Sequence, residues 1–393
     1  MKLLFVHSHK FIKFNQKYYT TGQFPYELFK TRYLNNFDKV TICSRLSEIT
    51  SNANLRQSDG DKVSFKALPN LSVIKGRKKA FKTTKRILTE KIKESDVVVA
   101  RIPSSHAYLA MKIAMKLKKP IVVEVVGDSF ESLWNHGSLK GKLLAPVSAI
   151  KYKRIMKQSI YTIYVTEKQL QNKYPSARNA YSINASNVEL NQTPQSVLDK
   201  SIKREEMRCL QEINIGLIGS YATKYKGIQN GIDLIADLQG RGINANLYIL
   251  GNGNKEWLIK KAEKLGVINY IKFEGLLPTG NPVLEWLDNL DLYIQPSLTE
   301  GLPRSLIEAM SRGLPAIASN VGGIPELIDS KYLHEPNDSN DLIEKVINLI
   351  ENKEEMINQI ENNFTKAQEY NVDVLRKRRD DFWKKVIKKE QLL

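Results

Sequence analysis

The sequence predicts an α/β protein with two domains, each built around a parallel sheet. Its 393 residues exceed one typical hydrophobic core and suit two domains of about 150 to 200 residues. Continuous apolar runs, VVVA at 97–100 and IVVEVV at 121–126, are typical of strands buried on both faces of a parallel sheet. Helical patterns separate these runs, as the crossover connections of parallel strands require.

The first domain, placed at residues 1–190, has a Rossmann-like order of elements. An apolar strand at 3–6 leads into a polar loop at 7–20, where functional loops of α/β domains usually lie. Further strands are predicted at 40–43, 97–100, 121–126 and 161–166, and helices at 26–34, 77–93 and 105–117. No G-x-G-x-x-G follows the first strand, which argues against a dinucleotide dehydrogenase.

The second domain, placed at residues 206–373, follows a stretch at 185–201 that is rich in Asn, Gln and Ser and that we interpret as a linker. Its best-defined part predicts a strand at 292–294, a loop at 296–303 and a helix at 304–312. Pro303 suits the first helical turn and Gly313 suits the position just past the end, so both ends of this helix are marked.

Two acids eight residues apart, Glu300 and Glu308, make this unit more than an ordinary strand-loop-helix. The spacing places Glu300 in the loop and Glu308 about one turn inside the helix. A helix N-terminus suits a phosphate, because its amides are unpaired and the dipole is positive there. Nearby carboxylates suit sugar hydroxyls, so we expect a nucleotide-sugar site in which Glu308 holds the ribose and Glu300 a hexose.

The segment PSLTEGLPRSLIEAMSRGLPAIASNVGGIPE, which carries this E-x7-E pair, resembles the signature of the retaining GT-B glycosyltransferases of family 4, also called group 1. The resemblance extends over residues 213–350. It implies two Rossmann-like domains facing across a cleft, with the acceptor in the first, the donor in the second and the last helix, 374–393, packing back on the first. It also implies transfer of a hexose from a nucleoside-diphosphate sugar to a glycan or lipid-linked acceptor in cell-surface polysaccharide synthesis.

The donor diphosphate is expected on the strand-turn segment IGSYATKYKG of the second domain. Gly219 permits close backbone approach, and Lys224 and Lys226 supply positive charge. Ser220 stands where the family usually has an Arg. The resemblance adds a group of expected donor contacts around these residues: Gly251, Gly275, Leu276, Gly301, Leu302, Arg304 and Ser305. It gives catalytic roles to Glu300, Lys226 and Asp128.

Expected acceptor contacts come from the first domain. Gly22 is the one glycine in a loop that is glycine-rich in the family, and Arg101 follows a predicted strand, where it meets an anionic acceptor or forms a structural salt bridge. Asp128 stands where the family often carries a sugar-contacting His. His136 comes eight residues later and is either an acceptor contact or an ordinary histidine.

The formal charge of +18 is concentrated in clusters at 75–93, 140–157 and 376–389. Such patches attract nucleic acid, anionic lipid or an anionic acceptor, or they are simply solvated helix faces. The basic, amphipathic segment 140–158 either lies on an anionic membrane or packs on the sheet. No nucleic-acid recognition motif accompanies the charge, so no nucleic-acid partner is expected.

Other features limit the setting and the chemistry. Cys43 and Cys209 are far apart, which suggests neither a disulfide framework nor a cysteine metal site. No apolar run approaches about 20 residues, so we expect a cytoplasmic protein without a membrane span. The basic segment at 140–158 adds the inner face of the cell membrane as a place where it can act. No Asp or His pattern has metal-ligand spacing, which predicts activity without a metal ion. No other cofactor is expected. We expect a monomer or a homodimer. The alternatives are an idle glycosyltransferase-like partner subunit and a polyanion-binding protein.

Overall fold

The computed structural model describes residues 1–48, 55–71, 76–134, 139–208 and 212–390. The chain divides into two compact units. The first comprises Met1–Asn187 and Asp373–Leu393, and the second comprises Val188–Val372.

Fifteen strands and fourteen α-helices occur in the described residues. The strands are β1 (Lys2–Phe14), β2 (Lys17–Thr20), β3 (Lys39–Glu48), β4 (Arg56–Gln57), β5 (Val63–Ala67), β6 (Val97–Ile102), β7 (Ile121–Val125), β8 (Tyr161–Tyr164), β9 (Tyr181–Asn184), β10 (Ile213–Ile218), β11 (Ala245–Leu250), β12 (Ile271–Gly275), β13 (Leu292–Gln295), β14 (Ala316–Ser319) and β15 (Leu333–His334). The helices are α1 (Tyr26–Tyr33), α2 (Arg77–Lys93), α3 (Ser105–Lys116), α4 (Ser129–Trp134), α5 (Leu139–Met156), α6 (Gln169–Lys173), α7 (Gln195–Met207), α8 (Ile228–Gly240), α9 (Glu256–Lys264), α10 (Asn281–Leu287), α11 (Arg304–Ser311), α12 (Ser339–Ile350), α13 (Lys353–Gln368) and α14 (Val372–Lys389).

The sheet of the first unit is parallel in the order β5-β3-β1-β6-β7-β8-β9, with the short strands β2 and β4 added antiparallel beside the end of β1. Its central strands are buried throughout, as the apolar runs predict. Apolar clusters cover both faces of the sheet, because Val97 and Val99 point to one cluster while Val98 and Ala100 point to the other.

The predicted polar loop at 7–20 is wrong. The first strand continues from Lys2 to Phe14 and turns back as a hairpin into β2. A shift of the β1–β3 register between Val6 and Lys10 lets the strand pair again with β3 beyond the irregularity. The sequence predicts a loop because polar residues interrupt the apolar pattern after Val6. In the structure, pairing with β2 and β3 satisfies the backbone hydrogen bonds of this stretch.

The last helix, α14, belongs to the first unit. Its apolar stripe of Phe382, Trp383, Val386 and Ile387 is buried in the same cluster as Phe5 on β1. The ring of Trp383 lies edge-on to Phe37, with centroids 5.1 Å apart. Because Phe382 and Trp383 are fully buried, α14 is part of the core of this unit.

The second unit has a six-stranded parallel sheet in the order β12-β11-β10-β13-β14-β15. This is the Rossmann order, in which the direction of winding reverses between the first and fourth strands, here β10 and β13. The unit begins at Val188, before the expected residue 206. Part of the stretch taken for a linker forms α7, whose Leu198 packs on Ile360 and Phe364 of α13.

Candidate active site

The site predicted in the second unit lies at the carboxyl ends of β10 and β13, where the strand order reverses. Open α/β sheets bind their ligands at this kind of position, because adjacent loops there diverge to opposite faces of the sheet. The loop after β10 carries Lys226, and the loop after β13 carries Glu300. The helix predicted at 304–312 is observed as Arg304–Ser311.

The two loops are tied together by a backbone hydrogen bond and an ion pair. The amide of Leu298 donates to the carbonyl of Tyr225 at 2.7 Å, and Lys226 Nζ lies 2.7 Å from Glu300 Oε1. Gly227 follows Lys226 with φ of +71°, and a Cβ there would lie 1.8 Å from the carbonyl oxygen of Pro296. Only glycine fits this crossing, so the sequence KG fixes the lysine beside the acid loop.

Gln295 organises the acid loop, and the sequence analysis missed it. Its side chain is fully buried, and its Nε2 donates to Ser297 Oγ at 2.8 Å and to Glu300 Oε1 at 3.0 Å. Its Oε1 accepts hydrogen bonds from Tyr293 and Ser305 at 3.0 and 2.9 Å. All four hydrogen-bonding positions of the amide are used. One of the partners is Glu300, so a fully satisfied hydrogen-bond network fixes the position of its carboxylate. A polar residue closing the buried strand LYIQ was the available signal.

Glu300 accepts all of its hydrogen bonds at one oxygen. Lys226, Gln295 and Ser297 converge on Oε1, with the serine hydroxyl at 2.8 Å. No described residue donates to Oε2, and the expected contact of this oxygen with a hexose hydroxyl stays a prediction. Behind this loop, Gly322 has φ of +56°, and a Cβ on it would lie 1.9 Å from the carbonyl oxygen of Glu300.

The start of α11 presents its first amides without a side-chain cap, since Pro303 occupies the N-cap position. These amides suit a phosphate. The hydroxyl of Ser305, one of the expected donor contacts, gives its proton to Gln295 at 2.9 Å. Its backbone N–H is therefore the group through which Ser305 can serve an anion.

Glu308 lies one turn into α11 and is paired with Arg304, whose Nη1 is 3.3 Å from Glu308 Oε1. Burial raises the pKa of the Glu308 carboxyl, and the charge and hydrogen bond of Arg304 offset this only in part. The guanidinium is half exposed. Contact of the Glu308 carboxylate with a ribose diol stays a prediction.

The turn after β10, where the donor phosphate is expected, packs closely against the turn that follows β11. A Cβ on Gly251 would lie 1.8 Å from the carbonyl oxygen of Gly219, so the two turns touch through their backbones. Lys224 is exposed, and its Nζ lies 5.7 Å from the ring centre of Trp257. The two lysines of the turn thus have different surroundings, and Lys226 alone reaches the acid loop.

The remaining expected donor contacts lie around these turns. Gly275 ends β12 with φ of +78°, and its amide donates to the hydroxyl of Tyr221 at 3.1 Å. Leu276 follows and is 68% exposed. The carbonyl of Gly301 accepts from the amide of Gly323 at 2.7 Å, and Leu302 is half-buried beside it. Their contact with a donor stays a prediction.

The prediction that Arg101 follows a strand is wrong. Arg101 lies inside β6, because pairing with β7 extends β6 to Ile102. Its buried guanidinium lies 2.8 Å from Glu124 Oε2, and Tyr33 donates to the other oxygen of Glu124 at 2.6 Å. The structural salt bridge, which was the alternative reading, is present. An acceptor contact would require this buried pair to open.

The carboxyl of Asp128 caps α4. It accepts from the amide of Phe130 and from Lys173 Nζ, each at 2.7 Å, and from the hydroxyl of Tyr174. Burial acts to raise the pKa of Asp128, but the bonds from Lys173 and Tyr174 outweigh it and hold the pKa below its ordinary value. Its expected catalytic role stays a prediction, beside a structural role that the contacts already give it.

The other two expected acceptor residues carry less information. Gly22 lies in an exposed bend after β2, with open space where a Cβ would stand. A residue with a side chain would therefore fit at this position. His136 lies outside the described residues.

A basic helix of the first unit carries an exposed apolar stripe. On α5, Leu139, Leu143, Val147 and Ile150 are 81, 77, 61 and 50% exposed. Packing on the sheet, one of the two explanations offered for this amphipathic segment, accounts for Ile155, which is buried, but not for these four.

The described helices include none with the length and hydropathy to cross a bilayer.

The described part of the chain contains no group of three or more His, Cys, Asp or Glu side chains that could hold a metal ion. The expectation of metal-independent activity stays a prediction.

Residues 204–366 match the profile of the family described as glycosyl transferases group 1. Protein CapJ of Staphylococcus aureus is 38% identical over 342 residues, which cover 86% of this chain and 83% of CapJ. The amylovoran biosynthesis glycosyltransferase AmsK of Erwinia amylovora is 35% identical over 114 residues, or 27% of this chain and 28% of AmsK. Among solved structures, HepE of Anabaena in complex with UDP has 17% identity and a TM-score of 0.65, covering 97% of this chain and 99% of HepE.

Proposed function

Because the chain belongs to the group 1 glycosyltransferases, we propose that it moves a hexose from a nucleoside-diphosphate sugar to a glycan or lipid-linked acceptor, with retention at the anomeric carbon and without a metal ion. The comparisons confirm two predictions made from the sequence: the GT-B fold and membership of a family of transferase enzymes. The proposal adds the donor class, the stereochemistry and the place of the reaction in cell-surface polysaccharide synthesis.

One observation carries the proposal: Lys226 and Glu300 form an ion pair beside the uncapped start of α11, at the point where the strand order of the sheet reverses. An ammonium group has three protons, so Lys226 can hold Glu300 and a phosphate oxygen together. Departure of a nucleoside diphosphate leaves negative charge on its terminal phosphate. Preorganised donors at that place stabilise the transition state more than the ground state.

The carboxylates suit the two sugars of such a donor. Glu308, inside α11, is placed to accept from a ribose diol, and the open oxygen of Glu300 from hexose hydroxyls. Retention is expected by front-face attack, in which the leaving phosphate accepts the proton of the acceptor hydroxyl. No protein nucleophile is then required.

The relatives support the biological setting. AmsK is named for amylovoran biosynthesis, and HepE was solved with UDP and with UDP-glucose. By extension we propose a nucleoside-diphosphate sugar as donor and a polysaccharide or its lipid-linked precursor as product.

The direct test is nucleotide release from UDP-, GDP- and ADP-sugars, with a chelator present and a total glycan-lipid extract as acceptor source. Release from one donor that persists in chelator would establish metal-independent transfer and name the nucleotide. Product NMR would then give the anomeric configuration. Release that stops in chelator would contradict metal independence, and binding of nucleotide with no turnover on any donor would favour the idle partner subunit.

Replacing Glu308 should weaken nucleotide binding. We expect Glu308→Gln to raise the Kd of the matching nucleoside diphosphate roughly 10- to 100-fold at neutral pH, since hydrogen bonds to charged groups contribute about 1.5 to 3 kcal/mol. Because burial raises the pKa of Glu308, the carboxylate is lost on acidification at a pH above the ordinary value of 4.5, and the advantage of the wild type should fade through that range. Isothermal titration calorimetry from acid to neutral pH measures both effects.

The matched control is Glu285→Gln, which changes an exposed acid on α10 in the same unit. Its nucleotide affinity should equal that of the wild type at every pH. Equal affinity of the Glu308 variant at neutral pH would remove Glu308 from the proposed ribose contact.

The exposed stripe of α5 should bind an anionic membrane, at the inner face of the cell membrane. Apolar side chains beside lysines and an arginine fit a bilayer interface with acidic headgroups. We expect Leu143→Ser/Val147→Ser to weaken binding to vesicles containing phosphatidylglycerol more than about tenfold, from the lost apolar burial. Sedimentation with vesicles measures this.

A matched control is Leu265→Ser/Val374→Ser, which removes exposed apolar side chains of the same types from other surfaces. It should bind vesicles as the wild type does, and salt should weaken both. Equal losses in the two variants, or no loss in either, would leave the α5 stripe without a membrane role.

A further inference from the structure

A groove lies between helices of the first unit, and none of the described residues predicted to touch the acceptor lines it. Helices α2, α3 and α5 together contribute most of its lining, and its volume is about 1420 Å³. This exceeds the roughly 300 to 1,000 Å³ of ordinary small-molecule sites. Its lining combines positive charge with apolar surface.

The charge is one-sided. Among the described residues that line the groove there is no carboxylate, but there are six cations: Arg77, Lys85, Lys93, Lys112, Lys116 and Lys151. Across the described residues, none of the six has a carboxylate partner. Two other cations of α2 do form ion pairs, Arg86 with Glu90 at 3.7 Å and Lys91 with Glu94 at 2.6 Å. The groove therefore brings together six cations whose charge no carboxylate in the described residues offsets.

Two of these lysines are held over one aromatic ring. Nζ of Lys151 lies 3.7 Å from the ring centre of Tyr108, and Nζ of Lys112 lies 5.8 Å from it. Burial lowers the pKa of Lys151, and the charges of Lys112 and Arg77 lower it further. Cations that repel one another in this way gain most from an anion placed between them.

The groove also offers apolar surface that an ion alone does not need. Phe81 on α2 and Leu144 on α5 are 47 and 56% exposed and face the groove, and Ile113 lines its floor. A sugar phosphate or nucleotide would leave these side chains in water. A hydrocarbon chain would cover them, at about 25 cal/mol per Å² of buried apolar surface.

One end of the groove reaches the carboxyl edge of the sheet. Ser8 on β1 and Ser104 before α3 lie there, with their hydroxyl oxygens 2.7 Å apart, and Ser8 Oγ is 2.8 Å from His106 Nδ1. Ligands of open α/β sheets bind at this edge. An occupant of the groove can therefore extend its head toward the place where an acceptor is expected.

We propose that this groove binds a lipid-linked acceptor through its phosphate or diphosphate, which lies on the lysines of α3 and α5, and through the adjoining hydrocarbon chain, which covers Phe81 and Leu144. The inference rests on the proposed function for the meaning of acceptor, and it narrows the acceptor class from glycans in general to glycans carried on a phosphorylated lipid.

The test measures the Kd of farnesyl diphosphate, of inorganic diphosphate and of dihexanoyl phosphatidylglycerol, with the full chain and no sugar donor. Farnesyl diphosphate should bind most tightly. Lys112→Ala/Lys151→Ala should weaken it at least about tenfold, because charged hydrogen bonds to phosphate are lost. Leu144→Ser should weaken farnesyl diphosphate but leave inorganic diphosphate unchanged.

The control Lys78→Ala/Lys82→Ala removes two exposed lysines of α2 that do not line the groove and should bind as the wild type does. Equal losses in the two double variants would overturn the proposal as a general charge effect. Inorganic diphosphate binding as tightly as farnesyl diphosphate would show an anion patch only. Phosphatidylglycerol competing equally would reassign the groove to membrane headgroups.

Failure of this inference and failure of the proposed function give different results. Transfer to a soluble glycan without binding of farnesyl diphosphate would refute the groove and keep the enzyme. Binding of farnesyl diphosphate without transfer from any donor would refute the proposed transfer and keep the groove.

Discussion

Lys226→Met is expected to lower kcat about 10²- to 10³-fold, the range found when one preorganised donor is removed from the charge that develops in a transition state. Methionine keeps the aliphatic length of lysine and removes the charge. In the free enzyme the lost group is 2.7 Å from Glu300 and within the turn expected to hold the donor diphosphate. The KM for the donor should rise less than kcat falls, because the charge on the leaving phosphate grows as the bond breaks.

Lys224→Met makes the same change two residues earlier and is the matched comparison. Its ammonium is exposed near Trp257, so water and salt screen its charge. We expect it to lower kcat less than about tenfold. Single-turnover measurements, with the donor that the nucleotide-release test identifies, would separate chemistry from product release. A larger effect at Lys224 than at Lys226 would move the diphosphate to the outer side of the turn.

Loss of fold must be separated from loss of catalysis in the Lys226 variant. Glu300 keeps its hydrogen bonds from Gln295 and Ser297, so its carboxylate is not left without partners. Thermal unfolding followed by circular dichroism should therefore shift by only a few degrees, as for a change of about 1 kcal/mol in a domain of this size. If the Lys226→Met variant is inactive because it is unfolded, the conservative variant Lys226→Arg is tested in its place.

The sequence predicts the second unit well because its signals are local. Strand, loop and helix at 292–312 each carry their own marks, and the acid pair sits between them. What it misses there is Gln295, whose importance comes from partners on β13, on the loop and on α11. A saturated amide network has no sequence spacing of its own.

The first unit is predicted less well because its features depend on pairing between distant strands. Arg101 follows the apolar run at 97–100 and is predicted to lie just beyond that strand, yet its register opposite Glu124 makes it part of β6. The signal was a carboxylate within the buried run IVVEVV, which needs a cation on a neighbouring strand. The exposure of Leu143 on α5 likewise could not be read from periodicity, since a stripe facing a core and a stripe facing a membrane have the same period.

Glu300→Gln is expected to lower kcat/KM about 10²-fold while leaving the affinity for the free nucleoside diphosphate within about threefold of the wild type. The reason is the division of labour between the two acids. Glu308 sits on α11, where a ribose is expected, whereas Glu300 offers its open oxygen above the strand ends, where the hexose is expected. Loss of the negative charge weakens hexose hydroxyl contacts and leaves the nucleotide contacts in place.

Ser297→Ala is the comparison that distinguishes contact from positioning at this carboxylate. It removes one of the hydrogen bonds to Glu300 Oε1, at 2.8 Å, and leaves Lys226 and Gln295 to hold the group. We expect a decrease in kcat/KM of less than about tenfold, because one neutral hydrogen bond contributes about 1 kcal/mol. If Ser297→Ala and Glu300→Gln lowered kcat/KM equally, Glu300 would act by holding the loop rather than by touching the sugar. If Glu300→Gln instead weakened nucleoside-diphosphate binding as strongly as Glu308→Gln does, both acids would serve the nucleotide, and the hexose contact would have to come from another element.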